Sequence, residues 1–167
     1  MNTTRKTWLV PVLAVAAVYW GSTLAAQDKE AAKAALSARV SLERGLSASA
    51  SHGRPISAKF EMEDGKLQLS VYTATTGRFL EVVVDPSSGA VIKTEPIGEG
   101  EDYTAAQSQS AAMAKAKVSL RAAVGSALRG NAGFRAVSVT PSLKDGRAAA
   151  AVTLAKGEEL KTVSVPL

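Results

Sequence analysis

Histidine occurs once in this chain, at position 52, and cysteine does not occur. A Ser-His-Asp relay would have to run through His52, yet no G-x-S-x-G elbow accompanies it. His52 sits in a Ser/Gly-rich stretch before Arg54-Pro55, which reads as a solvated loop. One histidine without cysteine is a poor basis for a zinc site. Glu61 and Glu63 are paired carboxylates, but they are one residue apart on a single strand. Glycosidase chemistry needs two carboxylates facing each other across roughly 5–10 Å. Glu99, Glu101 and Asp102 could gather a hard cation, although their spacing lacks the pattern of a calcium loop. Gly130-Asn131-Ala132-Gly133 follows a predicted helix, so its amides do not open one onto a phosphate. These residues predict a chain that is not an enzyme, with no catalytic residue, no metal ligand set and no cofactor.

The elements that would hold these residues read as α+β. The helical pattern starts near Asp28 and runs to Ala50, with Ala31, Ala35, Ala38, Leu42 and Leu46 on one stripe. Strict alternation follows. Ile56, Ala58, Phe60 and Met62 take one face, and Ser57, Lys59, Glu61 and Glu63 the other. Asp64-Gly65 predicts a tight hairpin into Lys66–Ala74. Thr76-Gly77 turns into Phe79–Val84, and Pro86-Ser87-Ser88-Gly89 turns into a short strand at 90–93. Residues 96–102 read as an aperiodic, acidic linker.

The second half repeats the plan. Met113, Ala116, Leu120, Val124 and Ala127 form a helical stripe. Val40-Ser41-Leu42 recurs as Val118-Ser119-Leu120, an offset of 118 − 40 = 78. Strands are expected at 134–140, 148–154 and 160–165, with Asp145-Gly146 placed like Asp64-Gly65. The expected fold is two tandem units, 27–95 and 103–167, each a helix packed on an antiparallel meander of three or four strands.

Ahead of them, Arg5 and Lys6 precede an apolar run from Trp8 to Tyr19, then small residues through Ala26. That order predicts a secretory signal peptide over 1–26, cleaved after Ala25 or Ala26, and a periplasmic or secreted protein. The alternative is an uncleaved anchor, since Thr7–Ala26 is about long enough to span a bilayer, roughly 20 residues. A chain without cysteine suits an oxidising compartment.

The +5 net charge is uneven. Residues 27–102 hold nine Lys/Arg against twelve Asp/Glu, so 9 − 12 = −3, and residues 103–167 hold nine against three, so 9 − 3 = +6. The halves could attract each other, or the basic half could meet an anionic partner such as a membrane surface, through Arg121, Arg129, Arg135, Lys144 and Arg147. Aromatic residues make up 5% of the chain, too few for base-stacking platforms, so nucleic acid is not an expected partner.

The helix, the strand into Asp64-Gly65, the strand Leu67–Tyr72, and above all Phe79-Leu80-Glu81-Val82-Val83-Val84-Asp85-Pro86-Ser87-Ser88-Gly89-Ala90-Val91 resemble the PepSY domain. The likeness covers residues 31–94, and the second half resembles a degenerate copy without the aspartate-to-glycine hairpin. The resemblance implies a secreted or envelope protein that binds, and in some cases inhibits, a peptidase or another envelope protein. It brings no catalytic residue. Alternation puts Tyr72, Phe79 and Val83 on the sheet face away from the helix. That apolar patch is the candidate surface for a partner or for the other repeat.

Overall fold

The computed structural model describes residues 19–167. The expected leader falls mainly on residues 1–18, outside the described residues. Among the described residues no helix is long and apolar enough to cross a membrane.

The front half contains α1 (Tyr19–Ala35), α2 (Leu42–Ala48), a 3-10 turn (Ser49–His52), β1 (Arg54–Glu63), β2 (Lys66–Thr75), β3 (Arg78–Val84) and β4 (Val91–Ile97). The back half contains α3 (Gly100–Lys115), α4 (Leu120–Arg129), β5 (Arg135–Lys144), β6 (Arg147–Lys156) and β7 (Glu159–Pro166). The class is α+β, as expected.

Each expected helix is two helices. The apolar stripe from Ala31 to Leu46 survives, with Ala31, Ala35, Leu42 and Leu46 buried, but residues 36–41 leave the helix. Ser41 stops it from running through. Its backbone is extended, and its hydroxyl accepts from Arg44 N–H at 3.2 Å, which starts α2 afresh. Ser119 does the same for α4 through Ala122 N–H at 3.2 Å. At the linker, Pro96 and Ile97 end β4 and Gly100 opens α3, so Gly98 and Glu99 alone join them.

The strands build one seven-stranded antiparallel sheet in the order β4-β3-β2-β1-β5-β6-β7. The two meanders therefore share a sheet, joined where Ala58 pairs Val139 and Lys59 pairs Ser138. Both hairpin turns carry positive φ at an aspartate and the glycine after it: Asp64 (49°) and Gly65 (72°), Asp145 (51°) and Gly146 (74°). The register slips at Ile56 in β1 and at Val137 in β5, each a one-residue bulge. These bulges are 137 − 56 = 81 residues apart, the same offset as the strand starts Arg54 and Arg135.

α2 and α4 touch each other and cover the centre of the sheet, each reaching β1 and β5. Gly45 lets α2 approach closely, because a Cβ there would lie 2.3 Å from Leu69 Cδ2. Leu42, Leu69, Val71, Val82, Val84, Val124, Val139, Val152 and Leu154 form the core beneath them, all fully buried.

Candidate functional site

Strand register places Tyr72, Phe79 and Val83 on one face, since Tyr72 opposes Glu81, Ala74 opposes Phe79 and Ser70 opposes Val83. They do not form an open apolar patch. Val83 is buried. The Tyr103 ring from α3 meets Phe79 edge-on at 5.5 Å and 68°. Gln109, further along α3, accepts from the Ser57 hydroxyl at 2.8 Å. The back half's first helix thus lies over this face of the front half's strands.

Around Tyr72 the face is polar. Lys59 Nζ lies 2.6 Å from a Glu61 carboxylate oxygen and 5.7 Å from the centre of the Tyr72 ring. Gln68 donates to Glu61 at 3.2 Å and to Ser70 at 3.0 Å. Ser70, fully buried, has one hydroxyl proton and gives it to Glu81 at 2.7 Å. Burial disfavours the Lys59 charge, but the hydrogen bond to Glu61 together with the further attraction of Glu61 and Tyr72 outweighs it, and the ammonium is held above its ordinary range. Burial likewise works against the Glu61 charge, and its bonds to Lys59 and Gln68 reverse this, so the carboxyl lies below its ordinary value. Burial pushes the Tyr72 phenol up to about 12, and the nearby carboxylates of Glu61, Glu81 and Asp102 add to the shift. All three groups therefore keep their resting charge at neutral pH. The network is a hydrogen-bonded lattice across β1, β2 and β3.

The other residues singled out stay apart. His52 ends the 3-10 turn, half-exposed. Glu63 is exposed, and Glu99, Glu101 and Asp102 surround the start of α3, all exposed. Among the described residues no three His, Cys, Asp or Glu are placed to hold a metal ion.

Two arginines take roles the sequence did not assign: Arg54 had none, and Arg135 was expected on the basic surface toward an anionic partner. Arg54, the first residue of β1, donates to the carbonyl of Met113 at the end of α3. Arg135, the first residue of β5, donates to the carbonyl of Val40 between α1 and α2. Arg135 is half-buried, and its Nε has no partner. Burial lowers its pKa, which the Glu43 charge partly offsets. It is therefore tied into the fold, unlike Arg121, Arg129, Lys144 and Arg147, which are exposed.

Beside Arg54 lies a groove of about 570 Å³, where α2 and the 3-10 turn meet the α3–α4 connection. Leu46, Met113 and Leu120 form its floor, and Arg54, Lys117 and Arg121 its charged rim, with no carboxylate among the lining residues. Val118 stands in it, 43% exposed.

No protein-family model matches the sequence, and no curated protein matches it. Among solved structures, the chain is similar to a protein of Clostridium difficile 630 provisionally assigned as a lipoprotein. The two are 10% identical with a TM-score of 0.40, over 70% of this chain and 77% of the other.

Proposed function

We propose that this protein is a non-catalytic, extracytoplasmic PepSY-like binding protein of the cell envelope. Built from two related units, it engages a peptidase or another envelope protein and inhibits a peptidase so bound. The observation that carries this reading is the unpaired outer edge of β7. Eight residues, Glu159–Pro166, pair with β6 on one side, and no described strand pairs on the other. An open edge of an antiparallel sheet accepts a partner's extended segment through main-chain hydrogen bonds. The opposite edge, β4, carries Pro96 inside the strand and so lacks an N–H there, whereas the proline of β7, Pro166, is its last residue. The N-terminal pattern of charge followed by an apolar run supports export, and the lattice around Lys59 and Glu61 supports a structural use for the charged residues.

Affinity capture from an envelope extract, with assays against the organism's secreted peptidases, tests the proposal. A recovered partner that protects β7 amides from exchange supports it. No recovered protein together with no inhibition rejects it.

A second reading rests on the exposure of Arg121, Arg129, Lys144 and Arg147. These could hold the basic half on an anionic membrane surface. Flotation with liposomes that does not depend on anionic lipid or salt would eliminate it.

A further inference from the structure

Val40 and Val118 begin the same tripeptide before a helix, and both following serines cap that helix. Their surroundings differ. Val40 is 6% exposed. Its N–H donates to Pro86 O at 3.0 Å, and Gly89 lies against it. The cover is therefore the turn Asp85–Ala90, between β3 and β4. That turn closes on itself, because one Asp85 carboxylate oxygen accepts from Ser87 N–H at 3.0 Å and Ser88 N–H at 2.7 Å. Val118 is 43% exposed, and among the described residues no backbone carbonyl accepts from its N–H. The front half thus covers this position, and the back half presents it bare, inside a groove rimmed by three cations.

Resting on the binding function proposed above, we infer that the Val118 groove is where the partner docks, and that the partner supplies an acidic turn. The turn covers Val118 and offers a carbonyl to its N–H, as Pro86 does for Val40. Its carboxylates meet Arg54, Lys117 and Arg121, a rim without competing acids. A strand leading out of that turn would lie along β7, as β4 lies along β3. One segment would then use both the open edge and the groove.

The probe is a labelled peptide of residues 83–93, which carries Asp85 and the whole turn. The full chain should bind it saturably by fluorescence anisotropy, with NMR amide shifts centred on Ala116–Ala122 and Leu46–Pro55. K117E/R121E changes two exposed side chains and leaves the core alone. It should weaken binding by at least about tenfold and flatten the salt dependence, while R147E, on the exposed β5–β6 hairpin, should not. No binding by the wild-type chain, shifts away from the groove, or equal binding by the double variant overturns the inference. So does dodecanoate shifting the groove amides when the peptide does not. If an envelope partner is captured equally by wild type and K117E/R121E, the groove assignment falls and the binding function stands. If neither captures a partner and no peptidase is inhibited, both fall.

Discussion

Arg54 and Arg135 open β1 and β5, and each guanidinium reaches across to a backbone carbonyl in the other half, Arg54 to Met113 and Arg135 to Val40. The halves meet through few strand pairs, Ala58 with Val139 and Lys59 with Ser138, so this exchange adds directional bonds where the sheet adds little. The two arginines should not matter equally. Arg135 is half-buried and Arg54 exposed. Arg135→Ala leaves a shielded carbonyl without its donor and should cost about 1.5–3 kcal/mol, the range for a hydrogen bond to a charged group. Arg54→Ala should cost about 1 kcal/mol or less. Urea denaturation measures both, and equal losses would contradict the assignment of burial.

Gly45→Ala sets two effects against each other. Alanine improves the helical propensity of α2 by roughly 1 kcal/mol. The new Cβ would lie 2.3 Å from Leu69 Cδ2 and 2.9 Å from its Cγ. Leu69 is fully buried and has nowhere to retreat. Overpacking of this kind typically costs about 1–3 kcal/mol, so packing should win and the variant should be less stable. Leu69→Ala in the same chain should make Gly45→Ala much less harmful. Thermal unfolding of the two singles and the double decides it, and a stabilised Gly45→Ala single would refute the close approach.

Period-two alternation and the Asp-Gly pairs located all seven strands, five of them to within two residues, while β4 and β5 each run four residues past the expected end. The full β4 was hidden. An edge strand needs no apolar face, so the alternation faded after Lys93, and Pro96 and Ile97 read as linker. The helix breaks at 36–41 and 116–119 were hidden for the opposite reason. The apolar positions keep helical spacing across each gap, and the signal lay in Ser41 and Ser119 as caps. The candidate surface was half legible: alternation put Tyr72, Phe79 and Val83 on one face, but nothing local announces that Tyr103 covers Phe79. The reach of Arg54 and Arg135 depends on how the halves pair, which no local pattern encodes.

Those two serines give a direct test of where the helices restart. α2 spans only seven residues, so its first turn depends heavily on its cap. Ser41→Ala and Ser119→Ala should each lose about 1 kcal/mol, while serine to glycine should lose only about a few tenths. Amide exchange at Arg44 and Ala122 should accelerate in the alanine variants. Unchanged exchange at both sites would mean that the helices run on without these caps.

The Lys59–Glu61 pair predicts how stability should follow pH. The folded Glu61 carboxyl lies below its ordinary 4.5, so in the acid range the unfolded chain binds more protons than the folded one. Its contribution is fully present above about pH 5 and is lost as pH falls through the folded value. Lys59 is held above its ordinary 10.5, so its contribution is present through neutral pH and is lost only in strong base. Glu61→Gln keeps the shape and the Gln68 contact but removes the charge. The Lys59 side chain is 46% exposed and can recover water, so the cost at neutral pH should be about 1 kcal/mol rather than that of a fully buried pair. Urea curves for wild type and variant should run parallel from about pH 5 to about pH 9 and converge as pH falls through the folded Glu61 value. A gap that persists undiminished in acid would show that Glu61 acts through packing, and that its charge does not stabilise the lattice.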